Sequence, residues 1–212
     1  MNLDHLIESN RVWARQQIAL NPSFFDELRN QHAPKYLWIG CSDARVPATQ
    51  IVDMAPGEMF VHRNVANQVI HTDINCLSVI QFGIEQLGIK DVIICGHYGC
   101  GGIRGAMANK PLGLIDNWLR HVRDTISKYS SEIDSIDDPQ LKEDRICELN
   151  VVEQVQNICH TTILQDAWAR GVDLTVHGWI YGLDNGHIKD LNVTVTSPAD
   201  INAVYRMYKH LP

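Results

Sequence analysis

Two short apolar runs, each ended by a glycine that is followed at once by cysteine or histidine, place the strongest constraint on how this 212-residue chain folds. The first run covers Tyr36 to Ile39 and the second covers Val92 to Cys95. Apolar runs of this length predict buried strands of a parallel sheet. Because ligands bind outside the carboxyl ends of such strands, the residues after Gly40 and Gly96 are candidates for a functional site.

Strands and helices alternate along most of the chain. Apolar residues at helical spacing predict helices over residues 73–87, with Thr72 as N-cap, and over residues 115–126 and 149–163. Further strands are predicted over residues 59–63, 174–181 and 188–195, and the hairpin signal at residues 184–186 makes the last strand antiparallel. The fold class that follows is α/β, with a mainly parallel β-sheet, an antiparallel edge strand and helices on both faces.

An N-terminal helical arm precedes this core. Residues 3–20 form a polar-rich amphipathic segment, and Phe24, Phe25 and Leu28 indicate a second short helix. We therefore expect a single domain over residues 1–212, composed of a helical arm (1–34) and an α/β core (35–212). Residues 130–143 are rich in Ser, Asp and Glu and predict a solvated connection, whereas Ser197 and Pro198 predict the start of another helix.

Composition excludes several classes of protein. The formal net charge of −7, without clustered Lys and Arg, argues against nucleic acid as a partner. No apolar run is long enough to span a bilayer, so we expect no membrane partner. The first residues lack the charged and apolar regions of a signal peptide, which makes a cytoplasmic location the expectation.

The six cysteines divide into two groups. Cys41 and Cys100 stand at the candidate ligand positions after the predicted strands. The chain is too large and too rich in core residues to be a small disulfide-stapled domain. The other cysteines are therefore expected to be small buried hydrophobic residues, namely Cys76, Cys95, Cys147 and Cys159.

The residues after the two strands are typical zinc ligands. Cys41, Asp43, His97 and Cys100 offer two thiolates, a carboxylate and an imidazole. Asp43 could close the metal as a fourth ligand, or pair with Arg45 and leave an open position for catalysis. A catalytic zinc, a closed structural zinc and buried cysteines without any metal all remain possible at this point.

Three segments resemble the β-class carbonic anhydrases: C-S-D-A-R at 41–45, F-V-H-R-N-V-A-N at 60–67 and H-Y-G-C-G-G at 97–102. The resemblance implies reversible hydration of CO₂ to bicarbonate and a proton by zinc-bound hydroxide, with one Zn²⁺ per chain in a homodimer or homotetramer. Carried over by motif, Cys41, His97 and Cys100 are the permanent ligands, and Asp43 with Arg45 is the catalytic pair. The resemblance also implies that Gly102 supplies a backbone N–H donor and that Phe60, Val65 and Phe82 form walls of the pocket.

Within that family the chain is most similar to the bacterial subgroup regulated by bicarbonate. This likeness implies a non-catalytic bicarbonate pocket formed by Trp38, Arg63 and Tyr181. We expect bicarbonate to stabilise a closed state in which Asp43 ligates zinc and Arg45 is released. Two alternatives remain open: hydrolysis of CS₂ or COS at the same site, and a non-catalytic, zinc-stabilised binding or assembly protein.

Overall fold

A five-stranded sheet forms the centre of the larger of the two units into which the chain divides, Met1–Ala33 and Pro34–Pro212. The computed structural model describes residues 2–30, 33–108 and 110–207. The strand order is β2-β1-β3-β4-β5, in which the first four strands are parallel and β5 is antiparallel to β4. The strands are β1 (Tyr36–Cys41), β2 (Met59–Asn64), β3 (Asp91–His97), β4 (Thr175–Tyr181) and β5 (Ile188–Val195). The predicted mainly parallel sheet with an antiparallel edge strand is confirmed.

Helical structure covers both faces of this sheet, as predicted. α-Helices pack on one face, whereas a short 3₁₀-helix packs on the other. The residues of β1 alternate between the faces, so that Leu37 and Ile39 pack with buried residues of the α-helices. Trp38 faces the other way and packs against Ala48 and the short 3₁₀-helix Gln50–Val52. The α-helices of this unit are α3 (Ile74–Gln81), α4 (Gly101–Met107), α5 (Ile115–Lys128), α6 (Ser130–Ile133), α7 (Pro139–Cys159) and α8 (Thr162–Ala169).

Residues 130–143 are more structured than predicted. They contain α6, and Pro139 begins α7. Ile133 of α6 is buried in the second core cluster, which includes Cys41, Cys100 and Leu119, whereas the first core cluster includes Leu37, Ile39 and Val92. The Asp138 carboxylate accepts hydrogen bonds from the backbone N–H groups of Gln140 and Leu141, which caps that helix. The polar composition that indicated a solvated connection reflects helix capping and the exposed sides of short helices.

Three other helix boundaries also differ from the prediction. Asp73, not Thr72, caps α3, and the chain continues as a π-helical turn over Phe82–Gln86. The predicted long helix ends at Cys159, and the Thr161 side chain caps α8, so Ile163 belongs to the next helix. Ser197 does form a capping box with Asp200, but only a 3₁₀-turn over Pro198–Asp200 follows it.

The N-terminal unit consists of α1 (Asp4–Leu20) and α2 (Phe24–Asn30), in agreement with the predicted pair of helices. The rings of Trp13, Phe24 and Phe25 pack edge to face, with centroids 5.0 to 6.3 Å apart. Neither helix buries a side chain completely within the described residues. Among the helices that the structure describes, none combines the length and the apolar character needed to cross a bilayer.

Candidate metal centre

The carboxyl ends of β1 and β3 bring the three strongest ligand candidates together. Cys41 is the last residue of β1, His97 is the last residue of β3, and Cys100 immediately precedes α4. Gly99 has a φ of +65°, which lets the chain turn sharply between the histidine and the second cysteine. The ligand atoms of the three residues all lie within 4.8 Å of one another, and the two sulfur atoms are 3.9 Å apart.

The orientation of His97 suits a metal ligand. Its Nδ1 donates a hydrogen bond to the carbonyl oxygen of Tyr98 at 3.0 Å, which fixes the ring and leaves Nε2 as the free nitrogen. Nε2 is buried and has no hydrogen-bond partner among the described residues. A buried, unpartnered imidazole nitrogen is costly in an apolar interior, whereas a metal ion would satisfy it.

The two cysteine sulfur atoms are joined by a hydrogen bond. This hydrogen bond is the main cause that lowers the pKa of Cys41. The same hydrogen bond to Cys41, together with burial, raises the pKa of Cys100. Because cysteine binds a metal as the thiolate, a cation bound between these two residues would release the protons that they hold.

Asp43 is paired with Arg45 and does not belong to the three-residue group. Its Oδ1 accepts hydrogen bonds from the backbone N–H and Nε of Arg45, at 3.0 and 2.9 Å, and its Oδ2 accepts one from an Nη atom at 2.6 Å. Oδ2 lies 3.8 Å from Nε2 of His97, so the carboxylate borders the centre. The hydrogen bonds from Arg45 hold the pKa of Asp43 well below its usual range.

Arg63 lies beneath this pair. Its guanidinium donates to the carbonyl oxygens of Cys41 and Asp43, at 2.8 and 2.5 Å. Gly40 pairs with Arg63 on β2, and the Trp38 indole lies over Gly40, where an added Cβ would be 2.4 Å from Nε1. Side chains at positions 38, 63 and 181 project from the same face of the sheet by strand register, and Trp38 and Tyr181 belong to one core cluster.

The four predicted pocket residues fall into two places. Val65 lies beside Gly102, because a Cβ added to Gly102 would be 3.0 Å from a Val65 methyl carbon and 3.0 Å from the Cβ of Ala66. Phe60 and Phe82 instead contact one another, with ring centroids 6.0 Å apart. Phe60 packs against the first core cluster, whereas Cys41 and Cys100 belong to the second.

Two residues that support the site were missed as functional candidates. Trp118, expected only as one of the apolar residues on a helix face, donates its indole N–H to the carbonyl oxygen of Val65 at 2.8 Å. Ala66 closes the space beside Gly102, since a Cβ added to that glycine would be 3.0 Å from the Cβ of Ala66. Only the quoted segment at 60–67 pointed to this region, and alanine has no side-chain chemistry that would signal such a role.

A second group of ligand types lies elsewhere in the core. His62, Asp73 and Cys76 also place ligand atoms within 4.8 Å of one another. Here, however, Oδ1 of Asp73 accepts hydrogen bonds from two backbone N–H groups at the start of α3, and Nε2 of His62 lies 3.3 Å from the amide nitrogen of Asn64. Burial raises the pKa of Cys76 to about 12, the opposite direction from Cys41. These contacts describe a capped helix start rather than a second metal centre.

Comparison with known proteins agrees with this geometry. The family model described as carbonic anhydrase matches residues 36–188. A carbonic anhydrase of Emericella nidulans is 39% identical over 207 residues, which cover 97% of this chain and 91% of that protein.

Two solved structures have the same fold. The Coccomyxa β-carbonic anhydrase, solved in complex with acetazolamide, superposes with a TM-score of 0.89 at 38% identity, covering 94% of this chain and 90% of the other. A tetrameric β-carbonic anhydrase of Sordaria macrospora gives a TM-score of 0.86 at 37% identity, covering 91% and 98%. The carboxyl edge of the sheet brings together two cysteines, a histidine and an Asp–Arg pair, and the similar proteins are carbonic anhydrases. The chain therefore belongs to the β class of the carbonic anhydrase family, the enzymes that hydrate CO₂ to bicarbonate.

Proposed function

We propose that Cys41, His97 and Cys100 hold one zinc ion, and that the enzyme uses it to hydrate CO₂ with Asp43 and Arg45 as its catalytic pair. The observation that carries this proposal is the buried, unpartnered Nε2 of His97 beside the sulfur atoms of Cys41 and Cys100, which lie 3.9 Å apart. Two sulfur ligands and one nitrogen ligand suit zinc, and three protein ligands leave a fourth position open. When bound, zinc supplies a Lewis acid that makes water a nucleophile near neutral pH.

Asp43 positions the attacking water. Because Arg45 keeps this carboxylate ionised, it can accept a hydrogen bond from the water and direct a lone pair at the carbon of CO₂. The new C–O bond forms as one C=O electron pair moves onto oxygen, and a proton is released to solvent. The products are therefore bicarbonate and H⁺.

Gly102 and Val65 form the side of the pocket next to the metal ligands. Gly102 lies in the first turn of α4, and its backbone N–H is proposed to donate to the oxyanion that forms during hydration. Val65 lies directly beside it and presents an apolar surface. We retain Phe60 and Phe82 as further walls, on the family resemblance alone.

Substrate choice provides the test of this function. Hydrolysis of COS or CS₂ at the same centre is the second candidate, because these analogues would react with the same nucleophile. We expect the wild-type protein, at about one zinc per chain, to hydrate CO₂ much faster than it hydrolyses COS. Stopped-flow hydration and sulfide release, measured on one preparation, give both rates. A preference for COS would overturn the assignment of CO₂ as substrate.

Regulation by bicarbonate is a further part of the proposal. Trp38, Arg63 and Tyr181 project from one face of the sheet, and a guanidinium beside an indole and a phenol is suited to a small planar anion. Arg63 also holds the carbonyl oxygens of Cys41 and Asp43. An anion that recruits Arg63 would compete with these hydrogen bonds, free the backbone of Asp43 and let its carboxylate move from Arg45 to the metal.

Replacing Arg63 with alanine tests this regulation. We expect bicarbonate to lose its inhibitory effect in Arg63→Ala, because the cation that would bind the anion is gone. The readout is the ratio of activities with and without bicarbonate, since the lost backbone hydrogen bonds will also lower the basal rate. Arg170→Ala, which removes an exposed ion pair with Glu85, is the control. Equal bicarbonate inhibition in Arg63→Ala and wild type would rule out this role.

We also propose that the protein is a homo-oligomer. The N-terminal unit exposes large apolar side chains, including Leu6, Ile7 and Trp13, that an isolated helix pair leaves in water. A similar β-carbonic anhydrase is tetrameric, which supports assembly here. The mass in solution distinguishes the dimer from the tetramer.

A further inference from the structure

The segment between β2 and α3 adopts an unusual backbone conformation directly behind the metal ligands. Ala66 has φ 64° and ψ 29°, and the next residue, Asn67, has φ 47°. A left-handed conformation is strained for alanine, whereas asparagine adopts it more readily, so the surroundings must hold Ala66 in this conformation. Asn67 adds to this cost, because its buried Nδ2 has no hydrogen-bond partner among the described residues.

A buried cluster of three amide side chains surrounds this left-handed turn. Gln68, Asn150 and Gln154 are 0%, 1% and 1% exposed. The carbonyl oxygen of Ala66 accepts hydrogen bonds from Nε2 of Gln68 at 2.8 Å and from Nδ2 of Asn150 at 3.0 Å.

The three amides are also joined to one another. Oδ1 of Asn150 accepts from Nε2 of Gln68 at 2.7 Å and from Nε2 of Gln154 at 3.3 Å. Oε1 of Gln154 accepts the backbone N–H of Val69 at 2.8 Å. Two residues of α7 therefore hold both ends of the turn, and Asn150 is the point at which their hydrogen bonds meet.

The turn matters because of what its other side touches. The Cβ of Ala66 lies against Gly102: a Cβ added to the glycine would be only 3.0 Å from it, so there is no room for a side chain between them. Val65, the preceding residue, forms the apolar surface beside Gly102. A change in the peptide planes at 65–67 would therefore displace the wall of the pocket that Val65 and Ala66 form against Gly102.

We propose that Asn150, supported by Gln154, is a positioning residue for catalysis: it holds the left-handed turn at Ala66–Asn67 so that Val65 and Ala66 close the substrate pocket against Gly102. The inference rests on the metal site and pocket proposed above. Asn150 touches neither substrate nor metal, and acts through the carbonyl oxygen of Ala66. Nothing in its position on a long helix, surrounded by apolar residues, distinguishes it in the sequence from an ordinary core amide.

The variant Asn150→Ala tests this role against a matched control. We expect kcat/KM for CO₂ to fall by about 10- to 100-fold, the range seen when outer-shell partners are removed, mainly through a higher KM because the pocket wall contacts the bound substrate. Zinc content should stay at the wild-type level. The control is Gln165→Ala, which also removes a buried amide, one bonded to the carbonyl oxygens of Cys159, His160 and Tyr205. It should lower thermal stability similarly and leave KM unchanged.

A second substitution separates positioning from general stability. Glycine adopts the left-handed conformation without strain. Ala66→Gly therefore removes the backbone strain that favours another conformation at residue 66. The double variant Asn150→Ala/Ala66→Gly should therefore recover a large part of the lost kcat/KM, although it restores no hydrogen bond. Should Asn150→Ala fail to fold, Gln154→Met, which removes the partner of the Val69 N–H, is the substitute and should raise KM in the same direction.

The outcomes are distinct. The positioning role is wrong if Asn150→Ala loses no more activity than Gln165→Ala at equal stability. It is also wrong if Asn150→Ala/Ala66→Gly recovers none of the lost kcat/KM. In both cases the proposed function stands. If wild-type protein binds no zinc and does not hydrate CO₂, the proposed function itself fails, and the variants are not needed to show it.

Discussion

Replacing Cys41 with alanine is expected to abolish zinc binding and, with it, CO₂ hydration. The variant removes one of the two sulfur atoms and leaves Cys100 and His97 as the remaining members of the three-residue group. Loss of an outer-shell partner already costs up to about 100-fold in metal affinity, so loss of a ligand should cost more. Zinc content by atomic absorption, on protein dialysed against a weak chelator, should fall from about one per chain to a trace.

A buried cysteine outside the site serves as the control for this variant. Cys159 is fully buried in the first core cluster, and burial raises its pKa, so it behaves as a small apolar residue. Cys159→Ala should lose some stability but retain zinc and activity. If Cys41→Ala keeps its zinc, or if Cys159→Ala loses as much, the assignment of Cys41 as a ligand is wrong.

Replacing Asp43 with asparagine should separate catalysis from metal binding. Asparagine fits the same space but carries no charge, so it accepts a weaker hydrogen bond from the water and a weaker one from Arg45. We expect kcat/KM to fall by at least about 100-fold, within the usual contribution of a positioned acid–base group, while zinc content stays near one per chain. The control is Asp26→Asn, which breaks an exposed Asp–Arg ion pair with Arg29 and should have no effect.

The pH dependence of the Asp43 variant follows from the direction of its pKa shift. Arg45 lowers the pKa of Asp43 in the folded protein. The ion pair therefore stabilises the fold at pH values above the ordinary carboxyl pKa of about 3.9. This stabilisation is lost as the pH falls through the lowered pKa of the folded state. Asp43 is thus ionised throughout the range from pH 6.5 to 9. Asp43→Asn should therefore lower the activity at every pH in that range, because the charged acceptor is lost throughout it. Full activity of this variant would contradict the role given to this carboxylate.

The sheet and the clustering of the three candidate ligands could be predicted because the signals for both are local. A short apolar run, a glycine and then cysteine or histidine place each candidate at a strand end, and adjacent parallel strands bring their carboxyl ends to one edge. The spacing from His97 to Cys100 then needs only one turn, which Gly99 supplies. No contact between distant parts of the chain had to be known in advance.

The errors arose where tertiary contacts or competing caps decided the structure. Thr72 and Asp73 are both residue types that favour the N-cap position. In the structure the backbone N–H groups of Asn75 and Cys76 donate to the Asp73 carboxylate, so Asp73 is the cap. Ile133 packs in the core and thereby stabilises a short helix in a segment that is otherwise mostly polar. At Ala66 the sequence shows a residue that disfavours positive φ, and the amides that enforce it come from α7, more than eighty residues later.

The most direct test of the central claim is stopped-flow CO₂ hydration by the wild-type protein from pH 6.5 to 9, with zinc determined on the same sample before and after chelation. The account predicts about one zinc per chain, activity that rises with pH, loss of activity when zinc is removed and recovery when it is returned. A zinc-loaded protein that does not hydrate CO₂ at any pH in this range, or activity that survives complete removal of zinc, would contradict it.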